Sequence, residues 1–168
     1  MDKVGIFYGS STGNTRDVAQ RLRDTFGHDK ADLLNIAEAT PEQMLAYRNL
    51  VLAGSTWGTG DLQDDWEAFF PAFDELDLTG RRVALLAVGD QQNYPDTFAG
   101  WMGQMADKVS ACGAGLVGRT EVKNYAFTGS GSVRDGRFLG LVIDEDNQPD
   151  LTQKRISAWV RDLRKRFA

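Results

Sequence analysis

The sequence predicts an α/β fold, a three-layer doubly wound sheet of five parallel strands with helices on both faces. Three observations predict it. Short apolar runs recur at "KVGIFY" (3–8), "ADLLNI" (31–36), "NLVLAGS" (49–55), "RRVALLAVG" (81–89) and "AGLVG" (114–118), continuous enough to be strands buried on both faces. Amphipathic helical patterns alternate with them, as parallel strands joined by crossovers require. No linker or repeat interrupts the 168 residues, so a single domain over 1–168 is expected.

Each element has its own signal. Val18, Leu22 and Phe26 recur every four residues, predicting a helix from about Asn14 to Phe26. Thr40, Pro41 and Gln43 spell a helix start: a cap, a first-turn proline and a capping-box partner. "LQDDWEAFFPAF" predicts a short helix with Pro71 near its end, and 96–112 another. From Leu151, residues Ile156, Trp159, Val160, Leu163 and Phe167 share one helical face, with Asp150 placed as its cap. Residues 119–140 break the rhythm. "FTGSGS" and "RDGRFLG" carry turn chemistry, predicting an insertion that interrupts the fifth strand, which resumes at "FLGLVI" (138–143).

Composition narrows the function. A net charge of −5 argues against nucleic acid, which needs a basic face, and favours a basic protein partner. One histidine and one cysteine argue against zinc and exclude an internal disulfide; His28 reads as a surface residue and Cys112 as a small core residue. With no apolar run long enough to span a bilayer and no signal-type opening, a cytoplasmic, non-membrane protein is expected.

The chemistry begins at "YGSSTGNT" (8–15). A strand, then a Gly/Ser/Thr turn, then a helix aims free N–H groups and a positive dipole end at one point, where an anion belongs. The nucleoside-triphosphate loop needs a lysine before Ser or Thr, and none is present; the dinucleotide spacing of glycines fails as well. A single terminal phosphate remains, held by Ser10, Ser11, Thr12, Gly13, Asn14 and Thr15. One hydroxyl here would be an ordinary cap; four exceed what capping requires.

"IFYGSSTGNTRDVAQRL" resembles the signature of the flavodoxins, small FMN-binding electron carriers, and "FLGLVIDEDNQPDLT" (138–152) with the preceding insertion resembles the long-chain type. The resemblance implies strand order 2-1-3-4-5 with FMN at the switch point. It also implies a low-potential one-electron carrier, shuttling between semiquinone and hydroquinone without substrate turnover of its own. Two further loops, "STWGTGDLQDDW" (55–66) and "GDQQNYPDTF" (89–98), follow strands three and four. In the family their aromatics, here Trp57 and Tyr94, sandwich the flavin ring, a stacking worth about 0.5–1.5 kcal/mol per face beyond area burial. The peptide that turns over on reduction corresponds to Gly58–Thr59, with Gly60 in the same turn; glycine tolerates such a flip at little cost. Gly89 and Asp90 fall at the ring's polar edge. Thr56, Thr97 and Asp146 are candidates for the ribityl chain.

A phosphate without a lysine opposes a ring anion. At roughly 10 Å and an effective dielectric of about 40, a dianion raises the energy of that anion by about 1–2 kcal/mol. Asp61, Asp64, Asp65, Glu67, Asp90, Asp144, Glu145 and Asp146 add charge of the same sign near the expected rim. The resemblance implies basic redox partners, a reductase and an acceptor such as ferredoxin-NADP reductase, nitrogenase or pyruvate oxidoreductase, and a monomeric carrier. The alternative is an FMN-dependent quinone or azo reductase of related fold, which needs an open ring face. A receiver-type signalling domain needs an Asp where strand three ends in Gly54-Ser55.

Overall fold

Val4–Tyr8 (β1) lies inside the main sheet, one strand from its edge, between Ala31–Asn35 (β2) and Asn49–Trp57 (β3), and pairs parallel with both. The computed structural model describes residues 1–57 and 60–168, the side chain of Trp57 excepted. Asp61–Leu62 (β4) turns back antiparallel on the end of β3, Thr56 opposite Leu62. Arg82–Val88 (β5) lies beyond β3 in parallel register, Asn49 opposite Arg82.

The outer strand is split. Gly115–Val117 (β6) pairs with the first half of β5, at Arg82–Ala84. Between the halves, Thr120–Glu121 (β7), Val133–Arg134 (β8) and Arg137–Phe138 (β9) form a separate three-stranded antiparallel sheet. Leu141–Ile143 (β10) then pairs with Leu86–Val88 of β5. With β6 and β10 read as one interrupted strand, the order is the expected 2-1-3-4-5. The resumption comes at Leu141 rather than 138, because Phe138 faces Thr120 and Val133 in the small sheet instead of β5. Gly140 marks the re-entry: a Cβ there would collide with the Leu85 carbonyl.

Alternation along the strands divides the apolar residues between two layers. Ile6, Val51, Ala84, Leu86 and Ile143 face Val18, Leu22 and Phe26 of Asn14–Phe26 (α1) and the buried stripe of Thr152–Arg166. Phe7, Leu50, Leu52, Val83 and Leu85 face the other layer. That layer comprises Pro41–Leu45 (α2), Asp64–Phe69 (α3) and Trp101–Ala111 (α4); Thr152–Arg166 is α5. The capping box of α2 forms as the sequence predicts, Thr40 Oγ1 accepting from Gln43 N–H at 3.2 Å and Gln43 Oε1 from Thr40 N–H at 2.9 Å.

Three boundaries differ from expectation. Pro71 does not end α3; it opens a 3₁₀ turn over Phe70–Glu75. Helix α4 begins at Trp101, not 96, because Ala99 takes φ 52° and the Phe98 N–H donates to Gly129 of the insertion. Asp150 does not cap α5: it lies inside a 3₁₀ turn, Pro149–Leu151, and no side chain caps that helix. None of the helices among the described residues is long and apolar enough to cross a membrane.

Candidate functional site

The strands β1, β3 and β5 are parallel, so their carboxyl ends and the loops after them meet at one rim. A recess of ≈ 220 Å³ opens there, lined by Thr12, Asn14 and Thr15 from the first loop, Ser55 and Thr56 from β3, Val88, Gly89, Asp90 and Tyr94 from the loop after β5, and Asp146 after β10. Eight of the sequence-predicted residues thus share one cavity. Thr97 lines a small adjoining recess with Thr56, Gly89, Asp90 and Tyr94. Gly60 lies in a neighbouring groove with Thr97 and Gly100, its carbonyl accepting from Gln104 Nε2 at 3.1 Å. The Trp57 ring, Gly58 and Thr59 lie outside the described residues.

The first loop ends in Gly13, whose φ of 95° is the left-handed region that favours glycine. That turn lets Gly13 N–H donate to Ser10 Oγ at 3.0 Å. Helical bonding begins only at Asp17 N–H to Gly13 C=O, 3.0 Å. The N–H groups of Asn14, Thr15 and Arg16 are therefore the orphan donors of α1, beside the buried Thr15 side chain. Ser10, Ser11 and Gly13 face a second depression on the outer side of the loop, shared with Tyr8, Asn35 and Arg16. The sequence reading made this cradle wholly neutral. Arg16 lines the depression, with Asp17 Oδ1 3.6 Å from its Nε, so a cation stands at its margin.

The loop after β5 is built the opposite way. Asp90 accepts from the N–H groups of Gln92 and Asn93 at 3.1 and 3.0 Å, and from the Asn93 and Asn147 side-chain amides at 2.7 and 2.8 Å. Burial pushes the Asp90 carboxyl up, but these hydrogen bonds outweigh it and hold its pKa below the usual value. Asp144 is fully buried, not part of the exposed rim charge. It accepts from Gln91 N–H at 3.0 Å, Gln91 Nε2 at 2.6 Å and Asn147 N–H at 3.0 Å. Gln91 Oε1 in turn accepts from Ala126 N–H of the insertion at 2.6 Å. Asp146 remains exposed; burial first, then the charges of Asp90, Asp144 and Glu145, raise its pKa.

Two side chains complete the rim. Tyr94 is 58% exposed, and among the described residues only Met1 is another large apolar side chain so open. Its ring offers a free face to a flat ligand. Thr56 Oγ1 accepts from Trp101 N–H at 3.0 Å, which leaves its proton to donate into the recess. Sequence reasoning missed Gln63, Gln91 and Asn147. Gln63 is buried, bonding Ser11 Oγ at 3.1 Å and the N-terminus of α3. An isolated amide carries no sequence pattern; only the need of a strand-end carboxylate for N–H partners hints at the other two.

Comparison with known proteins agrees with this geometry. The family model described as Flavodoxin matches residues 6–159. A flavodoxin of Picosynechococcus sp. is 40% identical over 168 residues, covering 99% of each chain. Flavodoxin 1 of Escherichia coli is 41% identical over 164 residues, 97% of this chain and 93% of that one. A Fusobacterium nucleatum flavodoxin, solved bound to flavin mononucleotide, superposes with a TM-score of 0.95 at 29% identity, covering 100% of both chains.

Proposed function

The chain belongs to the flavodoxin family of electron-transfer flavoproteins, and from that premise we propose that it binds FMN at this rim and carries single electrons at low potential from a basic reductase to an acceptor enzyme. The observation that carries the reading is the recess in which the orphan N–H groups of α1, the Thr56 hydroxyl and the open Tyr94 ring converge.

FMN held there supplies reversible one-electron chemistry. The residues present fit it. Thr12, Asn14 and Thr15, with Ser10, Ser11 and Gly13 behind them, would hold the terminal phosphate through neutral donors. Thr56, Thr97 and Asp146 line the path between phosphate and ring, where hydroxyl groups of the ribityl chain need partners. Tyr94 would cover one ring face; by the family resemblance Trp57 would cover the other and Gly58, Thr59 and Gly60 would supply the peptide at the inner edge. Gly89 and Asp90 would present backbone groups to the polar edge, with the Asp90 carboxylate already bound by its own loop.

Electrostatics sets the direction of transfer. Asp90 and Asp146 line the recess, with Asp144 buried beneath it and Glu145 paired with Arg21 at 3.1 Å; burial first, then the charges of Asp90, Asp144 and Glu145, raises the pKa of Asp146. Adding an electron to anything in the recess works against that field, so the reduced protein is a strong donor. The exposed Asp146 and the partly exposed Asp90 would steer a basic partner to this edge. Ferredoxin-NADP reductase, nitrogenase and pyruvate oxidoreductase are the partner classes this reading points to.

The test is retention of FMN after dialysis from excess, followed by redox titration. Stoichiometric yellow protein with its most reducing couple well below that of free FMN supports the reading. Loss of all visible absorbance refutes it. Rapid NADPH-dependent quinone reduction by the purified protein alone would replace the carrier by a reductase.

A further inference from the structure

Away from the rim, the insertion and α5 enclose a groove of ≈ 410 Å³. Its charge is opposite to that of the protein. Arg119, Lys123, Arg137, Arg155 and Arg166 line it against Glu121 and Asp162, in a chain whose net charge is −5. Lys123 and Arg166 are neutralised, by Glu121 at 3.1 Å and Asp162 at 2.7 Å. Arg119, Arg137 and Arg155 have no carboxylate within ion-pair distance among the described residues.

These three guanidinium groups are fixed rather than loose. Arg119 donates to the carbonyls of Arg134 and Arg137, and Arg137 returns a bond to the Arg119 carbonyl at 3.0 Å. Two like charges are thus locked across one strand pair, and the Arg119 Nε is buried without an acceptor. Arg155 lies 4.1 Å over the Tyr125 ring and donates to Gln148 Oε1 at 2.8 Å. The walls are equally set: Tyr125 OH donates to the Val142 carbonyl at 2.5 Å and Trp159 Nε1 to the Gly118 carbonyl at 2.7 Å. Clustered forks with fixed geometry and no counter-charge match a multiply charged oxyanion, which accepts several N–H bonds at once. The net negative charge of the chain makes diffuse attraction of anions a poor explanation.

We infer that this groove is a second anion site, one that takes a di- or triphosphate group of a small molecule through Arg119, Arg137 and Arg155. It is independent of the rim. The volume lies in the range of small-ligand pockets, and the aromatic walls suit an apolar body attached to the phosphates.

The test is titration of ¹⁵N-labelled protein with inorganic tripolyphosphate in excess FMN, so that the rim cradle is occupied, and again without FMN. Saturable shifts of the Trp159 indole N–H and of residues 119–125 in both series are expected. Arg137→Gln and Arg155→Gln should each weaken binding at least about tenfold, as loss of one charge-assisted contact predicts, with FMN retention unchanged. Three results overturn the inference: shifts confined to residues 10–16, no saturation at about 10 mM, or affinity unmoved by both substitutions. Tighter binding of a glutamate-rich peptide than of tripolyphosphate would overturn the oxyanion assignment in favour of an acidic protein segment.

Discussion

The loop after β1 and the loop after β5 meet at one recess, yet they handle their polar groups in opposite ways. The first keeps the N–H groups of Asn14, Thr15 and Arg16 without partners among the described residues and is tied by Gly13 to Ser10 and by Ser11 to Gln63. The second is knotted to itself and to the segment after β10: Asp90 binds its own loop and Asn147, and Gln91 binds the buried Asp144, which also accepts from Asn147. The contrast separates two jobs. Open donors bind a ligand and contribute little to the fold; a knotted loop positions a ring-bearing segment and contributes mainly to the fold.

Substitutions in the two loops should therefore report through different measurements. The largest effect is expected at the knot. Asp144→Ala leaves the backbone and side-chain donors of buried Gln91 unpaired, costing about 3 kcal/mol and lowering Tm by roughly 6–12 °C in a domain of this size. A drop of only a degree or two in thermal unfolding would mean that the knot does not hold the loop. Next is the open cradle. Thr15→Val keeps the shape of a buried side chain but removes a hydroxyl, so FMN should bind about tenfold more weakly, a difference of about 1.4 kcal/mol. Riboflavin, lacking the phosphate, should bind as before, and unfolding of the ligand-free protein should hardly move. Equal losses for both ligands would erase the distinction.

The smaller effects sharpen it through pH. The folded-state pKa of Asp90 is lowered, so its contribution is present above the ordinary carboxylate value and is lost as pH falls through the lowered one. Asp90→Asn should cost about 1 kcal/mol or less at pH 7 after solvent screening. The deficit should shrink in acid denaturation series. Asp146 has the reverse sign. Its pKa is raised, so its ionised form opposes folding, and Asp146→Asn should stabilise by about 0.5 kcal/mol or less at neutral pH. That gain should vanish below about pH 4, the ordinary carboxylate range. Gain and loss of the same sign in both variants would show that the acids act only as a diffuse field.

Much of this was legible beforehand. The strand order follows from the family resemblance; the span of α1 from Asn14 to Phe26, the α2 capping box and the interrupted outer strand follow from periodicity and turn chemistry. So does the convergence of Thr12, Asn14, Thr15, Thr56, Gly89, Asp90, Tyr94 and Asp146, because parallel strands bring their carboxyl ends together. The start of α4 was misread, since a helical pattern over 96–112 says nothing of the insertion that draws Phe98 and Ala99 out of it. The cap at Asp150 was misread because Pro149 starts a 3₁₀ turn that precedes the helix.

The sequence by itself determined which segments are strands and helices and which loops carry hydroxyls, glycines and exposed aromatics. These are local properties, written in spacing and residue type over ten or fifteen positions. Only the tertiary structure decided where each charge finds its partner: Asp144 sealed beneath the rim, Arg16 at the edge of a cradle read as neutral, and three arginines gathered against α5 with no ion-pair partner among the described residues. A side-chain hydrogen bond or ion pair depends on a few ångströms between residues far apart in the chain, and no local pattern encodes that distance.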